Sequence, residues 1–301
     1  MTSKEVRIMR VFVTGAPGWI GSALVPQLQA AGHEVAGLAR SEASAEALVT
    51  AGVQVVRGTL DDLDTLKGAA AGADAVVHLA FKHDIAFAGG FAEAAEADLV
   101  AVEAMLGALE ETGRPFVLAS GLLGLAPGRV ATERDFPEQD AGRAKTARRV
   151  LAADGVRGSV VRLAPTVHGA GDPGFIAAYV AASRTAGVAG FVEGGRWPAV
   201  HRDDAARLFL LALENAPAGT VLHAAQDEGV PLREVAEAVG KGLGVPVERM
   251  TPEEAAASYA WLGPMLAMDA AASSDVTREL LSWEPTGPTL LDDLAAGHYF
   301  G

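Results

Sequence analysis

The sequence predicts an α/β fold in which a doubly wound parallel sheet carries helices on both faces. The first observation is that strand and helix signals alternate along the chain. From Val11 to Ala164, short apolar, β-branched runs are followed by segments of helical periodicity, a pattern that predicts a parallel sheet. The second observation is size. The chain has 301 residues, of which 50% are hydrophobic, enough for one large domain and a smaller appendage.

The elements of this sheet are predicted in order along the chain. Strands are expected at 11–14, 34–39, 53–58, 74–80, 115–120 and 158–164. Helices are expected at 19–31, 42–51, 61–71, 91–112 and 139–154. The 91–112 helix is expected to pack on the sheet, because apolar residues recur on it at helical spacing, namely Leu99, Val102, Leu106 and Leu109.

Beyond Pro165 the alternation ends, and glycine- and proline-containing loops interrupt shorter elements. A helix near 203–214 and a strand at 220–225 are expected to return to the first domain. Further helices are predicted near 231–242, 252–262 and 275–281. We therefore predict a nucleotide-binding domain over 8–165, completed by 200–226. The remaining residues, 166–199 and 227–301, are expected to form a smaller, mostly helical substrate lobe.

The most informative segment is RVFVTGAPGWIG, residues 10–21, in which a strand runs through a glycine-rich loop into a helix. Unpaired N–H groups and the positive end of a helix dipole favour an anion there. Gly15 suits a tight turn, Gly18 a close approach of phosphate, and Gly21 the packing of helix on strand. We predict a Rossmann-type dinucleotide site that includes Pro17, Trp19 and Ile20. The alternative is an ordinary glycine-rich turn.

Composition narrows the choice of partner and compartment. The formal net charge of −14 argues against nucleic-acid or anionic-membrane binding, which need a basic surface. The absence of cysteine excludes disulfides and a thiol nucleophile. The first ten residues lack the apolar region of a secretion signal, so a cytoplasmic protein is expected. No two of the seven histidines have helical metal-ligand spacing, and no metal site is predicted.

Several motifs together resemble the extended short-chain dehydrogenase/reductase family, which includes sugar-nucleotide epimerases and dehydratases. The motifs are VTGAPGWIG (13–21), VVHLA (76–80), VLAS (117–120), Lys145, RLAPTVHG (162–169) and AVHRDDAARL (199–208). The resemblance implies a nicotinamide dinucleotide cofactor and a small-molecule substrate. Dimers through two helices per subunit are common in this family, so a homodimer is an expectation as well.

The choice of cofactor is predicted from the end of the second strand. NAD-preferring sites usually place an acid there to bind the ribose hydroxyls. This chain has Arg40 and Ser41 instead, and a guanidinium suits the 2′-phosphate of NADP(H). Glu42 lies two residues after Arg40, and it would weaken the preference for NADP over NAD if its side chain pointed toward the cofactor. If Arg40 is only a solvated turn residue, the preference has no basis.

Other cofactor contacts are implied by the resemblance. The adenine-contacting segment is Gly58-Thr59-Leu60, in which threonine stands where the family has aspartate. Asp61 and Asp62 are expected to cap the next helix. The loop that follows the fourth strand would border the cofactor through His78, Leu79 and Ala80. Pro165 matches a position near the nicotinamide.

The chain departs from the family at the catalytic motif Tyr-x-x-x-Lys. Lys145 is present, but Ala141 occupies the tyrosine position. Ser120 is a candidate to hydrogen-bond a substrate oxygen, and His83 and His168 are candidate proton donors. The leading interpretation is an NADP-dependent oxidoreductase that reduces a small carbonyl or imine compound. The alternatives are a catalytically silent NADP-binding sensor and, third, a sugar-nucleotide epimerase or dehydratase.

Overall fold

A computed structural model describes residues 8–137 and 142–301. Within these ranges the chain forms strands that we number in chain order. They are β1 (Arg10–Thr14), β2 (Glu34–Ala39), β3 (Gln54–Arg57), β4 (Ala75–His78), β5 (Pro115–Gly121), β6 (Arg157–Leu163), β7 (Thr166–His168), β8 (Ala189–Val192), β9 (Arg196–His201), β10 (Thr220–Ala224), β11 (Asp227–Pro231) and β12 (Val247–Met250).

The helices of the described residues are numbered in the same way. They are α1 (Gly21–Ala30), α2 (Glu42–Thr50), α3 (Leu63–Gly72), α4 (His83–Ile85), α5 (Phe91–Gly107), α6 (Arg143–Leu151), α7 (Phe175–Ala186), α8 (Arg202–Asn215), α9 (Leu232–Leu243), α10 (Pro252–Ser258), α11 (Gly263–Leu266), α12 (Asp275–Leu281) and α13 (Leu290–Ala295). A π-helical turn, Ala86–Gly90, joins α4 to α5, and a 3₁₀ turn, Ala260–Leu262, precedes α11.

The central sheet has the strand order β10-β6-β5-β4-β1-β2-β3, which confirms the predicted doubly wound fold. β1 pairs in parallel with both β2 and β4. The strand order therefore changes direction between β1 and β4, where Thr14 lies opposite His78 at the carboxyl ends. Ligands of open α/β sheets bind in the crevice at such a switch point.

Helices pack on this sheet through a continuous apolar core. Phe12, Val76 and Phe116 from the strands meet Val102 of α5 and Val150 of α6 in one buried cluster. The four apolar residues predicted to face the sheet from α5 and its C-terminal extension are all buried. A rigid layer of this kind fixes the carboxyl ends of the strands, on which the candidate site is built.

The described chain divides into two compact units. The first contains the described residues up to Ser120, residues 142–161, and Ala206–Leu222. The second contains Gly121–Pro137, Arg162–Ala205 and His223–Gly301. The second unit has its own core, which includes Tyr179, Trp197 and Val235.

The second unit contains more strand than the sequence predicts. It holds a three-stranded sheet, β11-β9-β7, and a two-stranded sheet, β12-β8. The pairing of β8 with β12 joins Ala189 to Val247, residues far apart in sequence, so local patterns could not show it. The lobe is mostly helical as predicted, and it also holds short strands that the sequence did not predict.

Two predicted helices are shorter in the structure. The helix predicted at 91–112 ends at Gly107 as α5, and Glu111 adopts a left-handed φ of 60°, which a continuing helix excludes. The described part of the helix predicted at 139–154 is α6, which ends at Leu151. Across residues 8–137 and 142–301, no helix is long and apolar enough to cross a membrane.

Candidate cofactor site and active site

The glycine loop between β1 and α1 is shaped by close backbone packing. Gly15 has a φ of +71°, and a Cβ there would lie 2.9 Å from the Ala80 nitrogen. A Cβ on Gly21 would lie 2.5 Å from the Ala16 oxygen and still closer to the Gly15 oxygen. Both positions therefore require glycine for the fold itself.

Gly18 differs from the other two glycines. It is exposed, and a Cβ there would meet only the Gly15 carbonyl, whose oxygen would be 3.0 Å away. Its own N–H donates to that oxygen and closes the turn. Packing therefore restricts Gly18 less than Gly15 and Gly21, and the small size of Gly18 fits the close approach of phosphate that the sequence predicts.

The N-terminus of α1 lies directly after this loop. Its N-cap residue, Ile20, makes no side-chain capping hydrogen bond, and the first turn contains no acidic residue. Anions are stabilised at such helix ends by the dipole and by the free N–H groups. The loop of Gly15, Pro17, Gly18 and Trp19, followed by Ile20 at the helix start, therefore fits the pyrophosphate of a dinucleotide.

Beneath the loop, a buried polar network joins β1, β4 and α5. His78 Nδ1 is 2.8 Å from Thr14 Oγ1, and His78 Nε2 is 3.0 Å from Asp98 Oδ1. The Ala80 N–H donates to Thr14 Oγ1, and the Leu79 N–H donates to the Thr14 carbonyl. The network therefore fixes the loop after β4 against the glycine loop.

His78 lies inside this network. Its side chain has no exposed surface, and its predicted place beside the cofactor stays a prediction. It acts as a positioning residue for the backbone at 79–80. Leu79 and Ala80 remain partly exposed, and a bound cofactor is expected to meet this loop there.

At the end of β2, Arg40 is exposed and lies 3.6 Å from Asp84, which is exposed as well. Exposed ion pairs of this kind contribute about 0–1 kcal/mol, so a phosphate can displace the carboxylate. Ser41 accepts a hydrogen bond from the Ser44 N–H and caps α2. Glu42 receives two hydrogen bonds from Arg57, both 2.8 Å long. It is therefore engaged away from Arg40.

The segment after β3 differs from expectation. The Asp62 carboxylate accepts from the N–H and the hydroxyl of Thr59, and Asp62 makes no side-chain cap on α3. Asp61 instead pairs with Lys82 at 2.7 Å. The predicted capping role of these two aspartates is wrong, because partners outside the helix bind both carboxylates. Leu60 is mostly buried and lines a cleft of about 500 Å³ with Asp61 and Lys82.

The candidate catalytic residues of the first unit lie at the end of β5 and the start of α6. Ser120 is 7% exposed and occupies the penultimate position of β5. Lys145 is exposed, and its Nζ lies 3.9 Å from Glu96 on α5, a long surface contact. Ala141, in the position of the family's tyrosine, lies outside the described residues.

His83 opens α4, with its ring between aromatic neighbours. It stacks with Phe87 and meets Phe81 edge-on, with ring centroids 5.7 and 5.2 Å apart. Partial burial and then the positive charge of Arg143 lower the pKa of His83. The imidazole is therefore neutral near pH 7 and accepts a proton less readily than a free histidine.

His168 and Pro165 belong to the second unit. The His168 ring is buried, and its Nδ1 lies 2.8 Å from Asp293 Oδ2. Its Nε2 is buried too, with no partner among the described residues. Burial lowers the pKa of His168. The His168 side chain therefore packs and forms its hydrogen bond within the second unit. Its role as a proton donor stays a prediction. Pro165 lies partly exposed between β6 and β7.

The structure thus brings together the glycine loop, the backbone at 79–80 and the polar network at the carboxyl ends of β1 and β4. It also shows a residue that sequence reasoning missed, Arg143. A signal was available, because a cation at the first position of a helix opposes the helix dipole. Groups of side chains suited to hold a metal ion are absent from the part of the chain that the structure describes.

Comparison with known proteins identifies the family. A family model described as the NAD dependent epimerase/dehydratase family matches residues 11–225, so the chain belongs to that family. This confirms the resemblance to extended short-chain dehydrogenases/reductases. The family binds a nicotinamide dinucleotide, which the glycine loop fits.

Among similar proteins, an uncharacterized protein of Schizosaccharomyces pombe is 43% identical over 300 residues, which are 97% of this chain and 100% of the relative. A 4-hydroxy-2-methyl-3-oxo-4-farnesyl-3,4-dihydroquinoline-1-oxide ketoreductase of Stigmatella aurantiaca is 31% identical over 275 residues, 86% of this chain and 80% of the relative. A 2-alkyl-3-oxoalkanoate reductase of Stenotrophomonas maltophilia is 28% identical over 257 residues, 79% of this chain and 77% of the relative.

The fold is shared with solved structures of the family. A dTDP-glucose 4,6-dehydratase of Streptomyces venezuelae, solved with NAD bound, superposes with a TM-score of 0.75. It is 22% identical, and the match covers 97% of this chain and 96% of the dehydratase. At this identity the likeness concerns the fold alone.

Proposed function

We propose that this protein is an NADP-dependent oxidoreductase that reduces a small carbonyl or imine compound by hydride transfer. Family membership and relatives named as reductases support the oxidoreductase class. One of these relatives is named for a 3-oxoalkanoate, a small carbonyl compound of the proposed kind.

The preference for NADP rests on the end of β2. Arg40 presents an exposed guanidinium there, and its neighbour Glu42 is engaged by Arg57. The carboxylate that the sequence places two residues after Arg40, that of Glu42, is thus paired with Arg57 rather than presented as the ribose-binding acid of an NAD site. A guanidinium matches the planar array of phosphate oxygens, and a hydrogen bond to a charged group contributes about 1.5–3 kcal/mol.

The bound nicotinamide would supply a hydride to the substrate carbon. The residues of the chain would bind and orient the reactants. The glycine loop and the N-terminus of α1 would hold the pyrophosphate, and Ser120 would hydrogen-bond the substrate oxygen. Lys145 would turn from its long contact with Glu96 to the ribose. The proton that completes the alcohol or amine would come from solvent or from a histidine, His83 or His168.

A binding protein without catalysis is the second candidate, and the observation that favours it is Ala141. A positioned general acid contributes about 10² to 10⁴ in rate, and alanine has no ionisable group. An epimerase or dehydratase needs a further acid or base beside a recycled cofactor. It therefore ranks third.

The test measures the affinity of the protein for NADPH and NADH by nucleotide fluorescence. Arg40→Ala should weaken NADPH binding at least about tenfold and leave NADH almost unchanged. Arg10→Ala is the matched control, because Arg10 opens β1 at the opposite end of the sheet and pairs with Asp74. Equal weakening of both nucleotides, or of neither, would refute the NADP assignment.

Activity separates the two leading candidates. NADPH oxidation is followed with panels of ketones, aldehydes and imines. Turnover of any panel member supports the reductase. Tight NADPH binding with no turnover across the panels would favour the sensor.

A further inference from the structure

Arg143, the first residue of α6, is held in one orientation by two contacts. One Nη donates to the carbonyl of Ala119 near the end of β5. The guanidinium lies over the Phe81 ring, 4.5 Å from its centroid, and Phe81 follows β4. The cation is therefore fixed at the carboxyl ends of β4 and β5, the edge at which open α/β sheets bind ligands.

Within residues 8–137 and 142–301, the charge of Arg143 has no direct counter-charge. Among the described residues, no carboxylate lies within ion-pair distance, and its Nε is buried without a hydrogen-bond partner. Asp98 is the acidic group that acts electrostatically on it; Asp98 Oδ1 is engaged by His78, and its Oδ2 is buried without a hydrogen-bond partner. Burial lowers the pKa of the Arg143 guanidinium.

Two further features make the positive charge of Arg143 unfavourable at this position. Arg143 stands at the positive end of the α6 dipole, where a cation is disfavoured. The neighbouring His83 is no counter-charge, because it is neutral near pH 7 or positive below it. A partly buried guanidinium without an ion-pair partner among the described residues is destabilising, whereas a planar anion that meets it gains strong charge-assisted hydrogen bonds.

We propose that Arg143 binds a carboxylate of the substrate, and that the substrate class is therefore oxo acids. This inference rests on the proposed function, because it names the substrate of the same site. Ser120 is the residue after Ala119, whose carbonyl holds Arg143, and consecutive Cα atoms are 3.8 Å apart. Arg143 and Ser120 therefore meet the same end of β5, where a substrate that carries both a carboxylate and a ketone would contact the two.

The test is a calorimetric titration of the protein saturated with NADP⁺, in which no reduction can occur. The probes are acetoacetate and pyruvate, and their methyl esters serve as uncharged counterparts. The wild type should bind at least one acid at least about tenfold more tightly than its ester. Arg143→Met, which keeps the length and the contact with Phe81, should abolish this difference. Arg143→Lys should retain part of it.

Arg149→Met is the matched control, because Arg149 lies on the same helix and pairs with Glu110 at the surface. It should bind the acids like the wild type. NADPH affinity is measured for every variant. Arg143→Met should keep it, and a loss there would mean that the arginine holds the cofactor instead, which overturns the proposal.

Equal binding of acid and ester by the wild type, or no binding of any probe, would also overturn the proposal. The proposed function would survive these results as long as NADPH binds and an uncharged carbonyl is reduced. Failure to bind NADPH at all would instead refute the proposed function. If Arg143→Met does not fold, the wild type is compared with Arg143→Lys. A reduced preference for acid over ester in Arg143→Lys then supports the proposal, and an unchanged preference overturns it.

Discussion

Two glycines of the same loop are predicted to fail in different ways when replaced by alanine. In Gly21→Ala the new methyl group would lie 2.5 Å from the Ala16 oxygen, well inside the 3.4 Å at which ordinary contact begins. The obstructing atoms are backbone, which cannot rotate aside. Either the loop or α1 must shift, and overpacking of this kind costs about 1–3 kcal/mol.

Gly18→Ala creates a smaller conflict. Its φ is outside the left-handed region, and the methyl group would meet only the Gly15 carbonyl, whose oxygen lies 3.0 Å away and must move by a few tenths of an ångström. Stability should therefore fall by less than in Gly21→Ala, by about 1 kcal/mol or less. The methyl group would, however, occupy the space in which the phosphates approach the loop, so NADPH affinity should fall at least about tenfold, or about 1.4 kcal/mol.

Urea unfolding followed by circular dichroism measures the first effect, and nucleotide fluorescence measures the second. With an m-value of about 3 kcal/mol per M, the upper end of the usual range and the one expected for a chain of this size, Gly21→Ala should lower the unfolding midpoint by about 0.3–1 M. The reasoning is refuted if Gly18→Ala binds NADPH as tightly as the wild type. It is refuted equally if Gly21→Ala unfolds at the wild-type midpoint.

The remaining predictions concern buried polar groups. Asp98→Ala should lower the free energy of unfolding by about 3 kcal/mol, because it strands His78 in the core, whereas Glu103→Ala on the exposed side of α5 should change it little. If urea unfolding showed that Asp98→Ala and Glu103→Ala lower the free energy of unfolding equally, the stabilising role of the buried Thr14–His78–Asp98 network would be contradicted. Burial holds the pKa of His223 at about 4, below the 6.5 of an unperturbed histidine. The folded state therefore favours the neutral ring, so this contribution to stability is complete above pH 6.5 and is lost as the pH falls toward 4. In unfolding measured across that range, His223→Gln should give a shallower slope than the wild type, and an unchanged slope would show that other groups control it.

Much of the first unit was predictable because its signals are local. Each strand from β1 to β6 is an apolar run with a breaker after it, and parallel pairing follows from the helices between them. The glycine loop was readable because its spacing is a pattern of consecutive residues, although the contact that requires glycine at Gly15 comes from Ala80 after β4. The strands of the second unit were missed because β8 and β9 are stabilised by partners distant in sequence, β12 and β11.

The side-chain roles were less predictable than the elements. Asp61 and Asp62 directly precede α3, where aspartate usually caps a helix, yet their carboxylates are bound by Lys82 and Thr59. His78 sits in a motif that borders the cofactor in the family, yet its ring is enclosed by Thr14 and Asp98. In each case several partners compete for one polar group, and only the folded arrangement decides which partner is within reach.

The sequence by itself determined the order of strands and helices in the first unit, the glycine loop, the absence of an acid directly after β2 and the alanine at position 141. These are properties of consecutive residues, whose spacing along the chain is fixed by covalent geometry. Only the tertiary structure decided that Glu42 is engaged by Arg57, and that Arg143 rests on Phe81 with its Nε unpaired. Whether a charge is compensated depends on groups from other elements, because electrostatic interactions act through space.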